Sequence, residues 1–314
     1  MEKRGFEFSF AWLFALLVGS VIIFLAIFAT MNLIKINRKA TDTFSAKQLT
    51  IVFEPMEVGL AEGKSSYADL DSETRIYNIC YDDGGFGDQE ISISTKSGLG
   101  KEWENPGVPI SIKNKYIFSS KIEQGKRVYF FSKPFKMPFK VSEMIFLTTN
   151  KYCFINAPEI VREDISGLNL KNIKLENCSE SDINVCFGGQ GKDCKILVSG
   201  TCLSDCESNF DYGYVTKDNE EIFYTGNLIY SAIFSDNEVY ECNVKRLVKR
   251  LIQQSLLYLD EANYLSAKCG TGSSGLSQIV KTGASFKNSK DLILIKNIAK
   301  EIEYQNDLAQ CGLW

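Results

Sequence analysis

FSFAWLFALLVGSVIIFLAIFATMNLI, residues 8–34, contains no charged side chain. As a helix, its 27 residues would extend ~40 Å against a hydrocarbon core of ~30 Å, so it spans with length to spare. The run exceeds the ~7–15 apolar residues of a cleavable signal. Ala29 is also preceded two positions earlier by Ile27, so a small-x-small cleavage site is missing. The expected organisation is a short tail at 1–7, a retained transmembrane anchor at 8–34 and a globular head beyond it. Ala11, Ala15 and Gly19 form an i, i+4, i+8 row that would allow a second membrane helix to approach closely.

The 314-residue chain carries a net charge of -4, with lysines and acids interspersed. That balance suits a soluble surface and argues against a nucleic-acid partner. Histidine is absent, which excludes Ser-His-Asp and Cys-His catalysis, histidine-ligated metals and a histidine proton switch. Carboxylate or lysine chemistry survives, but no pair is singled out.

Topology rests on the cysteines. Lys3 and Arg4 before the anchor nearly balance Lys35, Arg38 and Lys39 after it. All ten cysteines follow the anchor, and disulfides persist in oxidising compartments. Asn177-Cys178-Ser179 is a glycosylation sequon. The head is therefore expected on the extracytoplasmic side of the cell membrane.

Residues 35–68 read as a stalk and linker, helical until Pro55 interrupts. Residues 69–230 read as a β-rich domain of short runs: TRIYNIC, QEISIST, VPISIKNKYIF, RVYFFS, FKVSEMIFL, KYCFI, NIKL, INVCF, CKILV and EIFYTG. Aromatics such as Tyr116, Phe118, Tyr129, Phe130 and Phe131 suit a core and cross-strand pairs. Pro134 and Pro138 mark an edge or bulge. Residues 235–314 read as helical, opened by a capping box at Ser235 and Glu238 and interrupted at Gly270. A second helix is expected from Ser289 to Cys311. Basic residues at 245–250 and acids at 301–307 predict an antiparallel helix pair, bringing Arg246 to Asp307, Arg250 to Glu303 and Cys242 beside Cys311. The fold class is α+β, with this pair following the disulfide-containing β-rich middle.

Cys178, Cys186, Cys194 and Cys202 recur every eight residues, with Cys206 four further on. Cys186 and Cys194 bracket a glycine-rich turn and are expected to face each other across a hairpin. Cys80–Cys153 and Cys242–Cys311 are the expected bridges, while Cys178, Cys186, Cys194, Cys202, Cys206 and Cys269 stay unassigned among 15 possible pairings. Zinc is the alternative, but only Cys202-x3-Cys206 resembles a knuckle. DDGGFGDQE, residues 82–90, gathers Asp82, Asp83, Asp88 and Glu90 as candidate calcium ligands, although the spacing fits no EF-hand. The basic cluster at 245–250 would suit lipid headgroups or an acidic partner if it were not turned to a neighbouring helix. GTGSSG at 270–275 follows a helix rather than a strand, so it reads as a connection rather than a dinucleotide loop. FGGQGKD at 187–193 reads as a turn. No cofactor site is expected.

Lys3-Arg4-Gly5-Phe6 directly before the apolar run resembles the class III signal of archaeal type IV pilins. That resemblance implies cleavage after Gly5 and a long first helix leading into a β-rich head. Phe10 stands where many pilins carry glutamate. The opening GFEFSFAWLFALLVGSVIIFLAIFAT also resembles uncharacterised single-pass proteins of small-genome archaea, which implies a surface location and no activity. The expected function is therefore a membrane-anchored surface protein with a binding or structural role. Its partners would meet the Ala11/Ala15/Gly19 face or the C-terminal helices. A pilin-like filament subunit, an exported carboxylate-dependent hydrolase acting on glycans, and a cytoplasm-facing zinc protein are the alternatives.

Overall fold

The structure is a computed structural model and describes residues 10–53, 65–96, 103–188, 193–201, 210–269, 274–309 and 311–314. Helix α1 runs unbroken over Phe10–Val52 and is long and apolar enough to cross a membrane. Its apolar side chains up to Ile34 are exposed. An added Cβ on Gly19 would meet nothing within 4 Å, so the small-residue row lies open.

The remainder of α1 is not the free stalk expected over 35–68. Ala46, Leu49 and Phe53 are buried against Ile76, Ile91, Ile93, Val128, Phe130, Ile145 and Leu147 of the head. Helix and head therefore share a core. The head also begins earlier than residue 69, with strand β1 at Ser65–Tyr81.

The first sheet continues with β2 (Asp88–Thr95), β3 (Ile110–Ile112), β4 (Tyr116–Phe118), β5 (Ile122–Lys136) and β6 (Lys140–Thr148). Its order is β3-β2-β1-β5-β6-β4, antiparallel except where β4 meets β6. Side chains alternate between two cores. Val128, Phe130, Ile145 and Leu147 face α1, while Tyr129, Phe131, Met144 and Phe146 join the larger core. A sheet covered on both faces produces the continuous apolar runs seen in the sequence. Beyond Phe131, β5 is paired among the described residues only with β6, and Pro134 falls in that stretch. Pro138 occupies the β5–β6 turn. Both prolines thus sit at an edge and a turn, as the missing N–H requires.

The second sheet comprises β7 (Tyr152–Ile155), β8 (Ile173–Lys174), β9 (Ile183–Phe187), β10 (Ile196–Thr201), β11 (Tyr212–Lys217) and β12 (Glu220–Thr225). Its order is β12-β11-β10-β9-β7-β8. Helix α2 (Glu159–Leu168) connects β7 to β8 and buries Val161, Ile165 and Leu168 on one face. Asp218 and Asn219 both have positive φ in the β11–β12 turn, as a two-residue primed hairpin requires.

Helix α3 (Leu228–Phe234) is buried at every position. Phe234 packs 4.7 Å from Tyr152 and 5.3 Å from Phe131, ring centre to ring centre, joining the two sheets. Then follow α4 (Asn237–Cys269), α5 (Ser274–Ala284), a 3-10 turn at Ser289–Asp291 and α6 (Leu292–Leu308). Asn288 and Asp291 form a capping box at that turn. At the start of α4, by contrast, the Ser235 hydroxyl donates to Ser231 O and the Asp236 carboxylate accepts from Lys121 N at 2.7 Å. The box expected at Ser235 and Glu238 is not formed.

The antiparallel helix pair is corrected to three helices. α5 packs between α4 and α6. At Gly283 an added Cβ would lie 2.7 Å from Ile252 Cγ1, so the glycine lets α5 approach α4. Among the described ion pairs, neither Arg246–Asp307 nor Arg250–Glu303 forms. The local periodicity fits either partner. Only the packing places α5 between them.

Candidate functional site

One groove among the described residues arises from a mismatch of strand register. β1 pairs with β2 only from Thr74 onward, opposite Thr95. Against β5, the register steps from Asp69↔Arg127 to Thr74↔Gly125. Five steps along β1 thus match two along β5, and residues 70–73 are thrown out as a wide bulge. The space between this bulge, β2 and the polar half of α1 is a groove of about 560 Å³. That lies within the ~300–1,000 Å³ typical of small-ligand clefts.

Thr41, Ser45 and Gln48 line one wall from α1, while Ala68–Ser72 line the other. Leu49, Ile76 and Ile93 provide apolar surface. Charges around the groove are held by the protein itself. Asp42, 1% exposed, accepts from Thr95 Oγ1 at 3.0 Å and Thr95 N at 3.4 Å. Burial raises its carboxyl pKa, against the lowering effect of those hydrogen bonds. Arg38 pairs with Glu104 at 2.9 Å, Lys96 with Glu73 at 3.0 Å, and Asp69 with Arg127. The Arg127 hydrogen bond lowers the Asp69 pKa. None of these residues was singled out as a site from sequence, because the register step that opens the groove leaves no local signature.

The expected calcium loop has a different role. Asp82 pairs with Lys245 at 3.1 Å. Asp88 accepts from Ser111 Oγ at 2.5 Å and from Gln89 N at 2.8 Å. Glu90 faces the Tyr81 hydroxyl at 3.4 Å, and Asp83 is exposed. These four acids do not converge, and no cluster of three or more candidate metal ligands exists among the described residues. Cations from α4 hold the loop instead. Lys249 donates to Asp82 O and to Gly84 O, and Arg246 Nε donates to Phe86 O at 3.0 Å. Gly87 makes the close turn possible: its φ is +65°, and a Cβ there would lie 2.3 Å from Tyr81 O. The basic cluster at 245–250 thus supplies this clamp.

Arg246 is fully buried. Its Nη1 donates to Asn243 Oδ1 at 2.8 Å and Gln89 Oε1 at 3.1 Å, and its guanidinium lies 4.9 Å from the Tyr116 ring centre. Burial lowers its pKa. Gln89 extends the network to Asn78 and Ile117 O. The Cys80–Cys242 disulfide ties the same sheet–helix contact together.

That disulfide corrects two expected pairings. Cys80 bonds Cys242 rather than Cys153, and Cys153 bonds Cys178. Cys186 and Cys194 are bonded, as their flanking turn implied. The bond joins Cys186 within β9 to Cys194 just before β10, and these strands run parallel rather than as an antiparallel hairpin. Cys311 is also disulfide-bonded, and Cys242 is not its partner. Cys202, Cys206, the Cys269 side chain and residues 270–273 lie outside the described residues and side chains. So do most of FGGQGKD and the class III-like motif. Bonding of Cys178, Cys186 and Cys194 removes those thiolates from the proposed zinc set.

Asn177 is exposed beside Cys178, the accessibility a glycan acceptor needs. Nearby, Asp182 accepts from Lys174 Nζ and Ser179 N, each at 2.8 Å. These bonds, Lys174 foremost, hold its pKa down to about 2. Their contribution to stability is full above the unfolded carboxyl pKa of ~3.9 and falls as pH drops through the folded value. Carboxyl-carbon NMR should place the Asp182 midpoint near 2, with Lys174→Met moving it towards ~3.9. A wild-type midpoint already at ~3.9 would contradict this assignment.

A smaller crevice of about 270 Å³ lies among Lys136, Lys296, Lys300, Asp211 and Glu303. Both Lys296 and Lys300 pair with Asp211, so two of its cations share one acid. No protein-family model matches the chain, and searches of curated proteins and solved structures likewise find no significant match.

Proposed function

We propose that the chain is a membrane-anchored extracytoplasmic protein with a binding role at the cell surface, and that the α1–β1 groove receives its ligand. The carrying observation is the two-part character of α1. Its first half is apolar and exposed, while its continuation is buried in the head and forms a groove wall. Anchor and binding surface would then move as one body close to the membrane. Three disulfides among the described residues support an oxidising location.

Impermeant maleimide on intact cells, with and without external reduction, tests this location. Labelling should appear only after reduction, and mass mapping should recover Cys80–Cys242, Cys153–Cys178 and Cys186–Cys194. Ready labelling of all ten cysteines only after lysis would place a reduced head inside and overturn the reading.

A pilin-like subunit is the second reading. It is favoured by the 43-residue first helix, exposed and apolar at one end and packed on a β-rich head at the other. Sequencing of membrane-extracted protein distinguishes the two. Phe6 at the mature terminus favours the filament subunit, whereas retained Met1 rejects processing after Gly5. The hydrolase alternative receives less support, because Asp42 and Asp69 in the groove are committed to Thr95 and Arg127.

A further inference from the structure

We infer that the groove between α1 and the β1 bulge binds a neutral saccharide; this deepens, and rests on, the reading of the chain as a tethered binding protein. Three observations define the ligand chemistry. First, the principal wall charges are already engaged within the protein: Arg38 by Glu104, Lys96 by Glu73, Asp69 by Arg127 and Asp42 by Thr95. A strongly ionic ligand would have to compete with these contacts. Second, uncharged polar groups remain. Ser45 and Gln48 have no intramolecular hydrogen-bond partner among the described residues, and both line the groove from α1. Asp71, on the β1 wall, is the one lining charge without a described partner and can accept from ligand hydroxyls. Third, Leu49, Ile76 and Ile93 offer an aliphatic surface to the C–H face of a sugar ring. Convergent polar groups over apolar surface are the usual composition of a small-ligand cleft.

The bulge also discriminates against another class of ligand. An extended peptide adding to β1 needs a regular row of backbone groups. The register jump between Asp69 and Thr74 interrupts that row beside the groove, as bulges do when they protect sheet edges. The geometry therefore favours a compact polyhydroxyl ligand over a strand-adding peptide.

Position narrows the source to two. Along α1, the groove begins near Arg38 and extends to Leu49, roughly 6–22 Å beyond the charge-free run at ~1.5 Å per residue. The headgroup of a membrane glycolipid and a soluble oligosaccharide both present the required chemistry at that height.

The test uses the full chain in phosphatidylcholine nanodiscs. One arm adds diazirine-bearing neutral trisaccharides built from glucose, mannose or N-acetylglucosamine. The other incorporates a diazirine-bearing diglucosyl diacylglycerol. Crosslinks are mapped by mass spectrometry and competed with unlabelled neutral sugar, a sugar phosphate or an extended peptide. At least one arm should label residues 41–49 or 68–76, with neutral sugar the effective competitor. Gln48→Ala combined with Ser45→Ala should reduce labelling at least tenfold while leaving the thermal unfolding temperature unchanged. Labelling by the soluble probes identifies a free glycan source, and labelling confined to the lipid arm identifies a glycolipid.

No groove labelling in either arm, unchanged labelling in the double variant, or displacement chiefly by peptide or sugar phosphate would overturn the saccharide assignment. The maleimide experiment is independent. An external head without saccharide labelling removes this inference alone, whereas an internal head removes the tethered-surface reading.

Discussion

Replacing Cys80 and Cys242 together with serine is expected to lower the unfolding free energy by about 5 kcal/mol. The residues are separated by 162 positions, so reducing the bond releases most of the head from one long loop in the unfolded chain. In the chain-entropy account, stabilisation grows with the logarithm of that length. The separation of eight between Cys186 and Cys194 implies about 2.5 kcal/mol for the matching double variant. Chemical unfolding of the full chain in detergent, followed by tyrosine and tryptophan fluorescence, compares them directly. The long-loop variant should unfold first, by a margin comparable to a substantial part of an ordinary domain's ~5–15 kcal/mol. Equal midpoints would reject the loop-length account. A Cys80–Cys153 peptide in the native protein would reject the pairing itself.

Arg246→Met is expected to destabilise the head by about 2–4 kcal/mol. Two effects oppose each other. Removing a fully buried cation relieves a desolvation cost, and apolar replacements of buried charges can stabilise a protein. Arg246 nevertheless serves Phe86 O, Gln89 Oε1 and Asn243 Oδ1, and methionine supplies no donor to them. Each buried acceptor left unsatisfied costs about 1–3 kcal/mol, with Gln89 partly protected because Ile117 N still reaches it. The acceptors should outweigh the relieved desolvation. Because methionine approximates the side-chain length, loss of packing contributes less than in an alanine variant. Unfolding measurements should be joined by amide exchange of residues 82–88, which should accelerate as the loop loses its clamp. A methionine variant as stable as the original, with exchange unchanged, would show that Arg246 does not hold this loop.

Many individual elements were legible because their signals are local. Runs of β-branched and aromatic residues between turn residues located strands β1, β2, β5 and β6. Two more elements were readable but missed. Val161, Ile165 and Leu168 carry the 3.6-residue period of α2, while Asp218-Asn219 marks the hairpin that includes β11. The aromatic cluster was legible as core, since its strands are buried on alternating faces.

Associations between elements were much less legible. The charges of α4 and α6 fitted an antiparallel pair, yet α5 lies between those helices and Arg246 turns towards the sheet. Acidic residues at 82–90 fitted a cation loop, but the cations are Lys245, Arg246 and Lys249. Complementary charge identifies a class of partner and leaves its address open. The same ambiguity misassigned Cys80 and Cys242, because spacing alone cannot distinguish among separate β-segments and helices.

The sequence by itself determined the long apolar helix, the β-rich runs of the middle region, the helical end and the exclusion of histidine chemistry. Each follows from composition or periodicity within one segment, where backbone geometry dictates which residues share a face. Tertiary structure alone decided that α1 enters the head's core, that Cys80 meets Cys242, and that a three-residue surplus in β1 opens the groove. Those outcomes depend on register and burial across distant segments. Many pairings satisfy the same local pattern, but close packing of the whole core admits few of them together.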